Sequence, residues 1–287
     1  MKVGAAQFAS EIGDINANME IHHDWIARGL SKQLKLLVMP ELSLVGYHGT
    51  KYLLDVAMKF SDPRLQQLSV AAGNMAIVLG FIEEGPAAQF YNTAVIMKQG
   101  KVIHRHRKIN MPNYGKLEEG KYFAKGTHVR TCSLDENWHA GLLICSDAWN
   151  PALTHLAFLA ETALLITPVS SSIEAVGPGF DNPGGWELTM RFYSMMYGAP
   201  SIMVNRVGVE EDLTFWGGSC ILDPFGKRLA IAGKEEELIV AELDYSQVRR
   251  ARHQLPTVRD SDTNLVQSEI HRLVKEQDNR GRFPGNK

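Results

Sequence analysis

Three apolar runs in this chain end at groups that can do chemistry. LLVMPE closes on Glu41, GLLIC closes on Cys145, and ALLITPVSSS closes on a run of serines that begins at Ser170. Ligands of open α/β sheets gather beyond the carboxyl ends of strands, and a carboxylate brought beside a thiol makes a base–nucleophile pair. A thiol with a pKa of about 8.5 is only slightly ionised at neutral pH, so Cys145 needs a base or a cation nearby. No histidine lies within GLLICSDAWNP, and His139 sits at an even separation on the same strand, too far along it to serve. Glu41 is the alternative base. Lys108, which closes the basic run HRHRK, is a cation that, once buried, would hold Cys145 as thiolate and stabilise an oxyanion. It would need carboxylate company, and Glu118 and Glu119 follow soon after. In the turn after Cys145, the backbone N–H of Ser146 is free to point at a reacting oxygen. Asp147 either caps that turn or serves a substrate, and Trp149 either walls a pocket or packs on the sheet.

Each of these residues also has a plain structural reading. Free cysteines are among the most buried residues, so Cys145 could be a small core side chain. Glu41 could cap a surface turn, although a carboxylate directly after LLVMP is costly there unless partnered or used. Lys108 could be one cation of a solvated hairpin end. Metal chemistry has less support. His22 and His23 are neighbours on an amphipathic helix and diverge, and His104 and His106 share a strand face without a third ligand. Gly177-Pro178-Gly179 lies in a loop, without the strand–turn–helix frame of a dinucleotide site. No metal and no organic cofactor is expected.

The elements that must position these groups alternate between short apolar runs and amphipathic segments, the pattern of α/β layering. KVGAAQF reads as the first strand, and Ile15, Met19, His22, Ile26 and Leu30 then recur at helical spacing. Asp62-Pro63 and Asn150-Pro151 are each an N-cap followed by a proline that opens a helix. Gln99-Gly100 joins NTAVIMK to KVIHRHR as a hairpin turn. HAGLLIC, ALLITPV, PSIMVNRVG and EELIVAELD read as strands, and WELTMRFYSMMYGA as a helix. Asp223 to Gly226 turns a second hairpin, and a loop rich in Ser, Gly and Pro spans roughly 170–185. From Tyr245 the chain is charged and loosely patterned, either an arm that packs on a partner subunit or a mobile tail. The expected class is α/β, a mixed sheet covered by helices. Two such sheets packed face to face would make a four-layer sandwich, which periodicity alone does not show.

Composition excludes several classes. The chain has 287 residues, 45% hydrophobic and 22% charged, as an ordinary globular protein with a sizeable core does. A net charge of -2 and a pI near 6.6 are not a nucleic-acid footprint. No apolar run approaches the roughly 18 residues of a membrane span, and MKVGAAQFAS reads as a strand rather than a signal peptide. The three cysteines have no paired spacing, which argues for a reducing, cytoplasmic compartment.

LLVMPELSLVGY, HRKINMPNYGKLEEGKYFAKG and GLLICSDAWNP, in this order, resemble the three catalytic blocks of the nitrilase superfamily, the carbon–nitrogen hydrolases. KVGAAQF, NRVGVEEDLTFWGGSCILDPFGK and RRARHQLPTVRDS resemble its flanking segments, so the likeness covers roughly residues 1–262. The resemblance implies a single domain over 1–262 with a C-terminal arm or tail over 263–287. It also implies an α-β-β-α sandwich, and assembly into homodimers or larger homo-oligomers. It places the family's catalytic triad on Glu41, Lys108 and Cys145 and its second glutamate on Glu119. The implied chemistry is attack of Cys145 on a small amide, with Glu41 as base, Lys108 and the Ser146 N–H on the oxyanion, and a thioester that water cleaves. The implied partner is a small-molecule amide or carbamoyl compound. Tyr47, Tyr114, Trp149 and Ser170 are candidate pocket residues, each equally readable as ordinary packing. Ser-Asp-Ala-Trp after the cysteine departs from the Trp-Glu of true nitrilases and disfavours nitriles. The pattern looks more like amidases, carbamoyl amidases and the glutaminase domains of NAD synthetases. No synthetase segment follows, so a stand-alone amidase is expected, with a carbamoylase next. Acyl transfer by the same triad, and a non-catalytic binding protein on the same scaffold, are the remaining alternatives.

Overall fold

The computed structural model describes residues 1–281, and residues 282–287 of the expected arm lie outside it. Strands β1 (Lys2–Gln7), β2 (Leu36–Val38), β3 (Ala76–Glu84), β4 (Phe90–Lys98) and β5 (Lys101–Arg107) come first. They are followed by β6 (Thr131–Ser133), β7 (His139–Leu142), β8 (Leu164–Pro168), β9 (Ser201–Val204), β10 (Val207–Glu210) and β11 (Leu213–Trp216). The last are β12 (Cys220–Leu222), β13 (Arg228–Ile231) and β14 (Glu237–Glu242). The helices are α1 (Ile15–Ser31), α2 (Leu53–Val56), α3 (Pro63–Ala72), α4 (Pro151–Leu159), α5 (Asn182–Tyr197), α6 (Tyr245–Gln254) and α7 (Thr263–Gly281).

Two six-stranded mixed sheets form, in the orders β14-β1-β2-β3-β4-β5 and β13-β12-β9-β8-β7-β6, with β10–β11 as a separate ribbon. The period of two decides which side chains meet. Val3, Ala5, Leu36, Val38, Ala94 and Ile96 of the first sheet pack in one core with Ala140, Leu142, Leu164 and Ile166 of the second. Alternate residues Leu37, Ile77, Leu79, Val95 and Met97 face the other way, onto Met19 and Ile26 of α1 and Leu65 and Leu68 of α3. Phe158 of α4 and Trp186 and Met190 of α5 join the inter-sheet core from the far side of the second sheet. The molecule is therefore the four-layer α-β-β-α sandwich.

Local chemistry explains the element ends. The Asp62 and Asn150 carboxylate and amide oxygens accept the backbone N–H of Arg64 and Ala152, with Pro63 and Pro151 opening α3 and α4. Gln99 (φ 53°) and Gly100 (φ 75°) make a tight turn whose left-handed residues match the twist of β4 and β5. Some expectations differ from the structure. PSIMVNRVG is not one strand: β9 ends at Val204, and β10 turns away into the ribbon with β11. The charged stretch from Tyr245 contains an ordered helix, α6, which buries Val248 and Ala251. The final described helix, α7, starts at Thr263.

Candidate active site

Glu41 and Cys145 both lie just past strand ends, in turns that need an unusual backbone. β2 stops at Val38, and Leu42, the residue after Glu41, has φ 51°. β7 stops at Leu142, and Cys145 itself has φ 45° at the start of a short 3-10 turn. Left-handed backbone at a non-glycine residue costs of the order of 1–3 kcal/mol and persists only where its surroundings hold it. Here the Cys145 turn is held by hydrogen bonds from Asp147 N to Ile144 O (2.9 Å) and from Ala148 N to Cys145 O (2.9 Å). Lys108 follows β5, where the alternation that buries His104 and His106 also turns Lys108 inward.

The charged groups meet in the interior. Lys108 Nζ lies 2.7 Å from Glu41 Oε1 and 2.8 Å from Glu119 Oε1, and all three residues are at most 5% exposed. Glu41 is fully engaged: Asn92 Nδ2 donates to Oε1 (2.8 Å) and the Ser170 N–H donates to Oε2 (2.8 Å). Tyr47 OH donates to Glu119 Oε1 (3.1 Å). Burial pulls the Lys108 ammonium down, but Glu119 and Glu41 more than offset it and leave it well above its ordinary value. Burial raises Glu119 to about 7, with Lys108 opposing. The Cys145 thiol is pushed well up by burial and then by the Glu41 carboxylate, against the pull of Lys108. Burial and the Glu41 charge thus favour the thiol, and Lys108 favours the thiolate. The one ammonium is shared between two carboxylates, which weakens its pull on the sulfur. Glu41 is the carboxylate whose charge bears most on the sulfur, and Ser170, whose N–H bonds Glu41, lines the same cavity as Cys145.

Asp147 joins the two arms of the site. Its Oδ1 accepts from the N–H groups of Ile109 (2.9 Å) and Asn110 (2.7 Å), directly after Lys108. Its Oδ2 accepts from His106 Nε2 (2.7 Å) and Ile144 N (3.2 Å). Asp147 thus caps the cysteine turn and pins it to the end of β5; with four donors on its two oxygens it is not offered to a substrate. Ser146 is clamped from the same side, its Oγ donating to Asn110 O (2.5 Å) and its carbonyl accepting from Asn110 Nδ2 (2.7 Å). These bonds hold the Ser146 side chain and carbonyl, while the peptide that carries the Ser146 N–H is fixed by the bond from Ala148 N to Cys145 O.

Tyr47, Tyr114, Glu119, Cys145, Ser146, Trp149, Ser170 and Asn182 line one cavity of about 10 Å³, room for about one water. Tyr114, 42% exposed, stands at its edge, and burial raises its hydroxyl to about 12. Trp149 packs edge-on against Trp186 (5.0 Å between rings) and Phe180 (6.0 Å), so it both walls the cavity and packs on the helical layer. Ser170 directs its hydroxyl to the carbonyl of Glu41 (2.9 Å), so that group orients the carboxylate-bearing turn. A larger groove of about 390 Å³ runs along α5 past Leu188 and Phe192. It holds neither the thiol nor the buried carboxylates, and chemistry rather than size locates the site. Among the described residues no three His, Cys, Asp or Glu side chains are grouped as a metal would need.

Sequence reasoning missed Asn92 and Glu210. The signal for Asn92 was a polar residue at a core-facing position of FYNTAVIMK, on the same strand face as Ala94 and Ile96. Glu210 accepts the N–H groups of Tyr47 (3.2 Å) and His48 (2.8 Å) and pairs with buried Arg206, which anchors the Tyr47 turn. No local pattern marks that role.

A sequence profile of carbon–nitrogen hydrolases matches residues 2–253. The chain is 31% identical over 250 residues to a glutamine-dependent NAD(+) synthetase of Thermotoga maritima. That match covers 85% of this chain but 42% of the synthetase, so the chain spans less than half of that relative. It is 32% identical over 269 residues to an (R)-stereoselective amidase of a Pseudomonas species, with 91% of each chain covered. The structure of a carbon–nitrogen hydrolase from Helicobacter pylori G27 superposes with a TM-score of 0.85, covering 94% of this chain and 98% of that one at 24% identity, a likeness of fold. Because the matching profile spans residues 2–253, through the turns that carry Glu41, Lys108 and Cys145, the chain belongs to the carbon–nitrogen hydrolase family.

Proposed function

We propose that this protein is a thiol amidohydrolase that cleaves a non-peptide C–N bond of a small amide. The observation that carries the reading is the buried Glu41–Lys108–Glu119 cluster beside a cysteine held at a left-handed turn. Burying two carboxylates and an ammonium is costly unless the geometry is used, and a protonated thiol next to a carboxylate is a nucleophile waiting for general-base activation. Glu41 takes the thiol proton as sulfur attacks the carbonyl carbon. The developing oxyanion is met by Lys108 and the Ser146 N–H. Glu41 returns the proton to the leaving nitrogen as the C–N bond breaks, giving ammonia or an amine and a Cys145 thioester. A water deprotonated by Glu41 adds to the thioester; collapse releases the carboxylic acid, and the thiol regains its proton. Glu119, tied to Lys108 and Tyr47, keeps the ammonium aimed. The likeness over 91% of its length to a protein named as an amidase supports an amide as substrate.

The same reading takes the protein as a homo-oligomer in a reducing, cytoplasmic setting. Its cysteines are free, and α7 presents exposed Val266, Ile270, Leu273 and Val274 along one stripe that another copy would cover. No described helix is long and apolar enough to cross a membrane. The test is ammonia release from a panel of amides, ureido acids and nitriles, with intact-mass analysis during turnover. An acyl adduct on Cys145, and loss of both adduct and turnover in Cys145→Ala, are expected. Wild-type turnover by Cys145→Ala would remove the nucleophile assignment.

A further inference from the structure

The side chain of Asn182 is 1% exposed, lies at the first turn of α5, and lines the cavity that holds Cys145. Its Nδ2 donates to Ser172 O (2.7 Å) and Ser171 Oγ (2.7 Å). A carbonyl oxygen can only accept, so the bond to Ser172 O fixes which end of the amide is nitrogen. The other end, Oδ1, is buried and has no partner. A buried acceptor without a donor is destabilising, and native structures leave few of them without a reason. Ser171 Oγ is itself held by Trp186 Nε1 (3.0 Å), so the Asn182 amide is braced rather than free to rotate.

The charges around the cavity narrow the ligand further. Among the described residues that line it, Glu119 is the charged one, and none carries positive charge. Behind it, two carboxylates share one ammonium, a negative balance wherever both are ionised. A carboxylate on the acyl part of a substrate would meet lone pairs at Asn182 and the charge of Glu119, with no Arg or Lys lining the cavity to receive it and Lys108 already held by Glu41 and Glu119. A hydroxyl or ammonium would meet, at the Asn182 wall of the cavity, a desolvated acceptor that lacks a donor.

We infer that Asn182 Oδ1 is a specificity-determining acceptor for an O–H or N–H donor on the acyl part of the substrate, and that the site takes neutral or cationic amides and rejects those bearing a carboxylate. This rests on the amidohydrolase reading. The cavity of about 10 Å³ also means that the acyl part is short or that the surrounding loop yields as it enters.

The test compares kcat/KM for 3-hydroxypropanamide, β-alaninamide and butanamide, which share a length and differ in the terminal group, and for succinamate, which ends in a carboxylate. The wild-type protein is expected to prefer the two donor-bearing amides over butanamide by about tenfold or more, because a buried acceptor left unmatched weakens binding by that order. Succinamate should be the poorest of the four. In Asn182→Leu the donor preference should fall toward unity, whatever the absolute rates. Ser171→Ala, which leaves Oδ1 and its Ser172 tether in place, should keep the wild-type ratio. Turnover of butanamide or succinamate at least as good as that of the donor-bearing amides, or an unchanged ratio in Asn182→Leu, would overturn this inference and leave the amidohydrolase reading standing. No turnover of any amide, here or across the wider panel, would sink both.

Discussion

Replacing Lys108 by Met should cost more stability than any other single change at this site, and the cost should depend on pH. The ammonium lies 2.7 Å from Glu41 and 2.8 Å from Glu119 with no exposure to solvent, and methionine has similar bulk but no charge. Removing one member of a buried ionic group costs about 3–5 kcal/mol, because the partners stay buried and uncompensated. With about 2.1 cal/mol/K of unfolding entropy per residue over 287 residues, that is a fall in Tm of about 5–8 °C. The sign of the pH dependence follows from the carboxylates. Burial already raises Glu119 to about 7 with Lys108 present to oppose it, and without Lys108 it rises further. A carboxylate raised in the folded state contributes most below its unfolded pKa of about 4.3, and that contribution is lost as pH climbs through the folded value. The deficit relative to wild type should therefore be small near pH 5 and grow through pH 8. Differential scanning calorimetry at matched scan rates across pH 5–8 measures it. Turnover should drop by about a hundredfold or more, as on loss of an oxyanion donor. A stability loss under about 1 kcal/mol at pH 8, or a loss independent of pH, would refute the view that Lys108 neutralises two buried carboxylates.

Two further substitutions probe the supports of the site. Asp147→Ala strands the N–H groups of Ile109, Asn110 and Ile144 and the His106 ring, so a destabilisation of about 2–4 kcal/mol with a fall in kcat is expected by denaturant titration and steady-state kinetics; a variant of wild-type stability would show that the turn does not depend on it. Gly80→Ala places a Cβ 2.4 Å from the backbone nitrogen of Leu42 and 3.2 Å from the carbonyl carbon of Glu41, which only a shift of the Glu41 turn can relieve. A loss of about 1–3 kcal/mol, as for other overpacked interiors, and a lower kcat are expected. Unchanged kcat with reduced stability would separate that packing from the position of Glu41.

Much of this protein is written locally. The N-caps at Asp62 and Asn150, the Gln99-Gly100 turn and the alternating apolar strands are decided by neighbours a few residues apart, and the structure keeps them. Glu41, Lys108 and Cys145 stand out in the sequence because each closes an apolar or alternating run with a group that is costly to bury there. The layer order also followed from the likeness of the three blocks to a known family. The partners of those residues belong to the tertiary structure alone. The Ser170 N–H that orients Glu41 comes from 129 residues along the chain, and the amide of Asn92 from 51. Asp147 reads as a simple turn residue until the end of β5 is packed against it, 38 residues away at Ile109. The balance of charge around Cys145 belongs to the tertiary structure for the same reason. A sequence displays the charge of Lys108 but not that a second carboxylate, Glu119, folds back to share it. Local period and capping act over a few bonds; desolvation and charge sharing exist only once the two sheets have closed on each other.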